Sequence, residues 1–166
     1  MTQSEALGRL LKAYSGYYNI NRETPAAPFA AEAEFRLHDE QFFLIRSAKI
    51  SEADTREFVF FALADVLDME TFRMLDSTAW ETGLSRVELT GNHRNSDVIL
   101  FILARHIPEE VKRLVRKTRH YKSYRFGLKG WSSGRVLACD LTDLTAVHNA
   151  RGDILRKVVE NTLFKL

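Results

Sequence analysis

The chain has 166 residues, of which 45% are hydrophobic and 28% charged, with 11 Phe and a net charge of +2 at neutral pH. This length and composition fit one folded domain with a sizeable core and exclude a largely disordered chain. No apolar run approaches the roughly 20 residues needed to cross a bilayer, so the sequence also excludes a membrane-spanning helix.

The charges are unevenly divided along the chain. Residues 1–104 carry 10 basic and 16 acidic side chains, whereas residues 105–166 carry 14 basic and 6 acidic ones. Such an asymmetry is typical of a protein with an anionic partner. It also fits two parts of one domain, or two subunits, that attract each other.

The first 32 residues predict one helix and one extended segment. Ser4 can cap a helix whose apolar side chains share one face, namely Leu7, Leu10, Leu11 and Tyr14. Two of the three prolines lie in residues 19–32, where they discourage a helix and favour an extended strap. We therefore predict a single domain over residues 1–166, with an N-terminal helix (1–18), a Pro/Ala strap (19–32) and an α+β core (33–166).

A change of period marks the start of this core. Phe35 and Leu37 alternate with polar residues, which predicts a strand, and a polar turn separates that strand from the apolar run Phe42–Ile45. The pattern predicts a hairpin. Ser51 resembles a helix cap, and the apolar residues 58–64 predict a helix that is buried on almost every side.

The middle of the chain predicts a helix followed by strands. Asp68 is a suitable cap for a helix that ends near Gly83. Residues 87–90 predict a short strand, and residues 91–96 predict a turn on composition alone. The strongly apolar residues 98–104 predict a strand in the middle of the sheet.

Residues 105–135 form a basic segment, with ten Lys or Arg and only two acids. Its first part, from Pro108, predicts a helix whose positive charges occupy a solvated face. Its second part predicts a hairpin around Ser132–Gly134, with cations and an aromatic ring along one side of the strand. We predict a binding surface in this segment, made of Arg116, Arg119, Lys122, Arg125, Lys129, Trp131 and Arg135.

Few residues have the spacing of a catalytic or metal site. The five histidines are scattered singly, and the sequence has no phosphate-binding loop, paired Cys ligands or nucleophile elbow. Cys139 lies in an apolar run, where a thiol is a poor nucleophile. We therefore predict no metal and no cofactor. The remaining candidates for acid–base chemistry are Asp140, Asp143 and His148 near one strand end, which Glu34 from the first hairpin can join.

Residues 124–135 have the sequence Tyr-Arg-Phe-Gly-Leu-Lys-Gly-Trp-Ser-Ser-Gly-Arg. Through this run, residues 30–166 resemble an uncharacterised bacterial domain of unknown function. The resemblance implies a small cytoplasmic protein of a prokaryote and implies no activity. A cytoplasmic location also agrees with the polar first five residues, which do not resemble a signal peptide, and with the single cysteine.

Together these patterns predict an α+β fold, with a mainly antiparallel sheet of five to seven strands built from hairpins and about five helices. For function they favour a non-enzymatic binding or assembly domain whose basic segment meets an anionic surface. That surface is a nucleic acid, a phosphorylated ligand or another polyanion, or the acidic half of a second copy in a homo-oligomer. The alternative is a metal-dependent hydrolase or nuclease that uses Asp140, Asp143 and His148.

Overall fold

The computed structural model describes residues 1–36, 54–89 and 93–165. The α-helices in these residues are α1 (Gln3–Tyr14), α2 (Met69–Ser85), α3 (Glu109–Lys117) and α4 (Asp153–Val159), and α4 continues into a π-helical turn (Glu160–Phe164). The strands are β1 (Asn19–Asn21), β2 (Ala31–Arg36), β3 (Asp54–Val66), β4 (His93–His106), β5 (Tyr121–Ser123), β6 (Trp131–Asp140) and β7 (Thr145–His148). No helix in the described part of the chain has the length and apolar character needed to span a membrane.

The strands form one mixed sheet in the order β1-β2-β3-β4-β6-β5, and β7 pairs with β6 on the same side as β5. The α+β class and the number of strands are therefore confirmed. The expected mainly antiparallel arrangement is corrected, because the three long central strands, β3, β4 and β6, run parallel. Helices α2 and α3 lie between these strands in sequence and serve as the long connections that parallel neighbours need.

The predicted helix over residues 58–64 is wrong, because these residues lie in the middle of β3. A parallel strand that is covered on both faces has a continuous apolar sequence, which resembles that of a buried helix. This difference reduces the helix count to four α-helices in the described residues. The predicted strand Phe42–Ile45 lies outside the described residues. Within them, β2 pairs in antiparallel orientation with β3.

Two turn predictions are also corrected. Residues 93–96, predicted as part of a turn, begin β4, and residues 87–89 are not a strand. Ser132–Gly134 lies inside β6, so the hairpin of β5 and β6 turns at residues 124–130 instead. Glycines with positive φ angles lie in that earlier loop, where they permit the tight turn.

The sheet separates two apolar cores. Alternate side chains of β3, β4 and β6 pack under α2 and α3 on one face, and the others pack under α1 and α4 on the opposite face. In the second core Phe61 stacks on Phe101 with ring centroids 5.4 Å apart, and Tyr14 meets both rings edge-on. The two cores hold the ends of β4 and β6 in fixed positions, and the polar groups described below lie at those ends.

The helices begin at side-chain caps. Thr2, rather than the predicted Ser4, caps α1 and forms a capping box with Glu5. Asp68 caps α2 as predicted, and its carboxylate accepts a hydrogen bond from the Thr71 N–H at 2.7 Å. These caps satisfy N–H groups that have no partner within the helix.

Candidate functional site

The β5–β6 hairpin carries two exposed aromatic rings on one face. Tyr121 lies opposite Ser133, and Ser123 lies opposite Trp131, so the register places both rings on the face of the sheet that α1 and α4 cover. Tyr121 is 60% exposed and Trp131 is 39% exposed. Diagonal neighbours on one face of an antiparallel pair lie within reach of a common ligand.

Several positive side chains lie in or near this hairpin, and one of them contacts a ring. The exposed or half-buried cations of this region are Arg119, Lys122, Arg125, Lys129 and Arg151. Within the described residues, none of the five forms an ion pair with a carboxylate. The Arg151 guanidinium lies 5.9 Å from the centre of the Tyr121 ring, which is a cation–π distance. The region therefore carries positive charge that the rest of the described fold does not neutralise.

Two of the predicted binding residues lie elsewhere. The Arg135 Nη2 atom is 3.0 Å from the Asp97 Oδ2 atom, and the Arg135 side chain is only 23% exposed. Arg116 lies on α3 and lines a separate cleft. The other five lie in the hairpin or directly before it, namely Arg119, Lys122, Arg125, Lys129 and Trp131. The structure therefore places five of the seven predicted residues in or just before one hairpin, with Lys122 on the face opposite Trp131, and pairs Arg135 within the fold.

The hairpin loop, residues 124–130, has an unusual backbone. Three consecutive residues, Arg125–Gly127, have φ angles of 48°, 54° and 86°. Such left-handed angles are unfavourable for residues that carry a Cβ atom. Internal hydrogen bonds hold the loop, among them the Gly127 N–H to the Tyr124 carbonyl at 3.0 Å and the Tyr124 N–H to the Gly130 carbonyl at 2.9 Å.

The base of this loop is fixed to the sheet. A Cβ atom on Gly130 would lie 1.8 Å from the Arg94 carbonyl oxygen, so only glycine permits this approach to β4. The Tyr124 ring is buried, and its hydroxyl is hydrogen-bonded to the Ser132 hydroxyl at 2.8 Å. The loop is therefore a rigid extension of the sheet.

His93 and Ser96 form a pair that the sequence analysis missed. The His93 Nδ1 atom lies 2.7 Å from the Lys129 carbonyl oxygen, which can only accept, so Nδ1 donates, and Nε2 is hydrogen-bonded to the Ser96 hydroxyl at 2.8 Å. This is the hydrogen-bond pattern of a nucleophile and its base. Both side chains are buried, however, so the pair fastens the hairpin loop to the start of β4.

Asp140 is buried, and the fold itself uses its carboxylate. It accepts hydrogen bonds from the N–H groups of Ile107 (2.8 Å), Thr142 and Asp143 (both 3.0 Å), and the His106 Nδ1 atom lies 3.3 Å away. Burial tends to raise the pKa of Asp140, but the backbone donors and His106 outweigh burial and lower the pKa below its usual value. The carboxylate joins the ends of β4 and β6 and is a weak base.

Among the other predicted acid–base residues, Asp143 contacts Asp140 through its backbone N–H, whereas His148 and Glu34 lie apart from it. His148 lies opposite Leu137, three positions along β6, so the His148 and Asp140 side chains lie on opposite faces of the sheet. Asp143 is exposed in the turn before β7. Glu34 is ion-paired on β2, and the register aligns it with Gly134 on β6, six residues before Asp140. It is therefore separated from Asp140 by roughly 14 Å across the sheet and roughly 20 Å along the strands.

A polar row crosses the three central strands on the face of α1 and α4. Its members Glu57, Asp97 and Ser133 are register partners on β3, β4 and β6. The Ser133 hydroxyl donates to Asp97 Oδ1 at 2.7 Å, and the Tyr18 hydroxyl donates to Glu57. Burial, followed by the Glu57 carboxylate, raises the pKa of Tyr18, which keeps this hydroxyl protonated. The sequence carries no signal for the row, since its members meet only through strand register.

A cleft of about 170 Å³ lies between α3 and β7. Its lining includes Ile107, Lys112, Arg116, Ala138, Thr145 and Val147. The Lys112 ammonium lies 3.2 Å from the Glu109 carboxylate, whereas Arg116 has no carboxylate partner in the described part of the chain. An engineered apolar cavity of about 150 Å³ binds benzene, so the cleft has room for a small molecule.

Metal-binding and thiol chemistry find little support. In residues 1–36, 54–89 and 93–165, no group of three or more His, Cys, Asp or Glu side chains is arranged to hold a metal ion. Burial raises the pKa of the Cys139 thiol, which disfavours the nucleophilic thiolate.

Comparison with known proteins gives one match. The model of a family described as a domain of unknown function, DUF8052, matches residues 2–161. The predicted resemblance to a domain of unknown function is thereby confirmed. No curated protein and no solved structure matches the chain significantly.

Proposed function

We propose that this chain, which belongs to the DUF8052 family, is a non-enzymatic binding domain that holds a single-stranded nucleic acid along its β5–β6 hairpin. The observation that supports this proposal is the combination of exposed rings with unneutralised cations on one edge of the sheet. Tyr121 and Trp131 offer ring faces on which bases stack, while Arg125 and Lys129 are free to meet phosphates. The net charge of the whole chain is only +2, so the attraction is expected to come from local groups of cations rather than from the overall charge.

A single strand is favoured over duplex DNA or RNA by the type of contact on offer. Duplex readers place a helix or a two-stranded ribbon in a groove and reach base edges with polar side chains. Here the exposed groups beside the cations are aromatic rings, which bind the faces of bases, and those faces are available only where bases are unpaired. The interaction is expected to tolerate many sequences, since every base has a ring face.

The Arg125→Ala/Lys129→Ala double variant tests the proposal. We expect it to bind a fluorescent oligothymidylate of about 15 nucleotides more weakly, because two phosphate contacts are lost. In a plot of log affinity against log salt between about 50 and 200 mM, the slope is expected to fall by roughly 1.4, at about 0.7 for each phosphate contact. Fluorescence anisotropy measures both quantities.

The matched control removes two exposed cations from other parts of the molecule, with Arg9→Ala on α1 and Arg73→Ala on α2. This variant has the same net charge as the test variant, and its salt slope is expected to equal that of the wild-type protein. Equal slopes for the test variant and the wild type, or no binding by the wild type at about 50 mM salt, would contradict the proposal.

A second candidate function is the binding of a small phosphorylated ligand in the cleft between α3 and β7. It is favoured by Arg116, which lines the cleft and has no carboxylate partner in the described residues. Phenyl phosphate is a suitable probe, because its ring approaches the size of the cleft and its phosphate matches the guanidinium.

For this cleft we expect Arg116→Ala to weaken phenyl phosphate binding about tenfold in isothermal titration calorimetry, since a charged hydrogen bond is worth about 1.5–3 kcal/mol. Arg113→Ala is the control, because Arg113 is exposed on the same helix and does not line the cleft. Equal affinities of the two variants would remove the candidate.

A further inference from the structure

The tip of the hairpin loop, residues 125–128, presents two large apolar side chains to solvent. Phe126 is fully exposed and Leu128 is 85% exposed. No other large hydrophobic side chain in the described residues is exposed to this extent. Single exposed apolar residues are ordinary on protein surfaces, but two on one short turn form an apolar projection.

This projection is held outward by the backbone. Arg125 and Phe126 keep left-handed φ angles of 48° and 54°, although neither is glycine. The Leu128 N–H donates to the Arg125 carbonyl at 3.0 Å, and the Lys129 N–H donates to the Tyr124 carbonyl at 3.2 Å. A strained conformation persists only where its surroundings enforce it, and such strain concentrates at functional sites.

The charges next to the tip indicate what it meets. Arg125 precedes Phe126 directly, Lys129 follows Leu128 directly, and neither cation is ion-paired in the described part of the chain. The tip therefore consists of two exposed apolar side chains, Phe126 and Leu128, with a cation on either side in the sequence. Proteins that bend duplex DNA through its minor groove combine apolar wedges between base steps with basic side chains nearby, and the tip has the same combination of groups.

We propose that Phe126 and Leu128 insert as a wedge between adjacent bases of the bound single strand. This inference rests on the proposed function. Phe126 stacks on one of the two separated bases. Leu128 has no ring face and occupies the remaining apolar space between the two bases. Arg125 and Lys129 hold the phosphates on either side of the opened step. The substrate class is unpaired nucleic acid, because separating bases is least costly where they are not paired.

The wedge is tested with an oligonucleotide that contains 2-aminopurine, a base whose fluorescence rises when it is unstacked. The wild-type protein at saturation is expected to increase this fluorescence. The Phe126→Gly/Leu128→Ala variant keeps Arg125 and Lys129, so it is expected to bind about tenfold more weakly and to lose the fluorescence increase. Its melting temperature is expected not to fall, since glycine relieves the left-handed φ angle at position 126.

Leu144→Gly is the matched control. Leu144 is also an exposed apolar residue with a positive φ angle, of 52°, but it lies in the turn between β6 and β7. This variant is expected to retain both the affinity and the fluorescence increase of the wild-type protein.

The possible outcomes separate the two proposals. Wild-type binding without a fluorescence increase would overturn the wedge and leave the proposed function standing. Absence of oligonucleotide binding would overturn both. Vesicles with and without anionic lipid provide a further arm: if the tip variant loses vesicle binding while its oligonucleotide binding and fluorescence increase stay unchanged, the tip is a membrane contact and the wedge is wrong.

Discussion

Asp97→Ala is expected to destabilise the protein by about 3 kcal/mol, because it leaves the Arg135 guanidinium without its carboxylate partner. The Asp97 side chain is 5% exposed and lies 3.0 Å from Arg135. It also accepts the Ser133 hydroxyl at 2.7 Å, so the substitution leaves a buried donor unsatisfied. Urea denaturation followed by circular dichroism measures the change in the free energy of unfolding.

Two further variants separate the effect of the lost charge on Arg135 from the effect of the lost hydrogen bond to Ser133. Asp97→Asn keeps a hydrogen-bond acceptor for Ser133 and is expected to be less destabilising than Asp97→Ala. Asp97→Ala combined with Arg135→Met removes both charges and is expected to recover part of the loss, since an apolar pair avoids an uncompensated charge. A loss below about 1 kcal/mol for Asp97→Ala would show that the pair is not important for the fold.

The same pair predicts a separation of roles among the basic residues. Arg135 is already neutralised inside the sheet, whereas Arg125 and Lys129 are not paired within the described residues. We therefore expect changes at Arg135 to alter stability, and changes at Arg125 and Lys129 to alter affinity for anionic partners.

Asp140→Ala is expected to reduce the free energy of unfolding by about 4 kcal/mol at neutral pH. Three backbone N–H groups, from Ile107, Thr142 and Asp143, lose a charged acceptor, and each such hydrogen bond is worth about 1.5–3 kcal/mol before the site relaxes. For a domain of this size that loss corresponds to a fall in melting temperature of roughly 8–16 °C. Differential scanning calorimetry measures the fall.

This contribution depends on pH in a definite direction. The pKa of Asp140 is lowered in the folded protein, so the folded state favours the ionised carboxylate. The stabilisation is fully present above the ordinary pKa of an aspartate, about 3.9, and is lost as the pH falls through the lowered value. The stability difference between the wild type and Asp140→Ala is therefore expected to shrink as the pH is lowered below about 4. A difference that stays constant from neutral pH into this range would contradict the assignment.

The sequence was a good guide where local chemistry decides the structure. The Asp68 cap and the start of α3 after Pro108 follow from residue type and short-range pattern. It failed at residues 58–64, because a strand buried on both faces lacks the period of two that identifies a half-exposed strand. The parallel core could not be predicted without knowing that this segment is a strand.

The candidate site also contains some features that local sequence predicts and others that depend on residues distant in the sequence. Exposed cations and one ring, Trp131, were predicted here from a run of neighbouring residues, since charge keeps Arg125 and Lys129 near water. Tyr121 was not predicted. The partners of Arg135 and His93 are distant in the sequence and meet only through the register of β4 with β6 and through the docked loop. The residues next to Arg135 in the sequence do not reveal that it pairs with Asp97 on the adjacent parallel strand. For this reason Arg135 was assigned to the binding surface.

The Asn149 side chain fills a gap in the hydrogen bonding at the edge of the sheet. Strands β5 and β7 leave a stretch of β6 between them, and there the buried Asn149 amide accepts from the Val136 N–H at 3.1 Å and donates to the Gly134 carbonyl at 3.0 Å. The amide thus makes the two hydrogen bonds to β6 that a neighbouring strand would otherwise make at this position. Without it, the Val136 N–H and the Gly134 carbonyl would lack this partner at the edge of the sheet, where open peptide groups can pair with a strand of another molecule. The amide therefore protects this gap in the edge of the sheet against pairing with another chain.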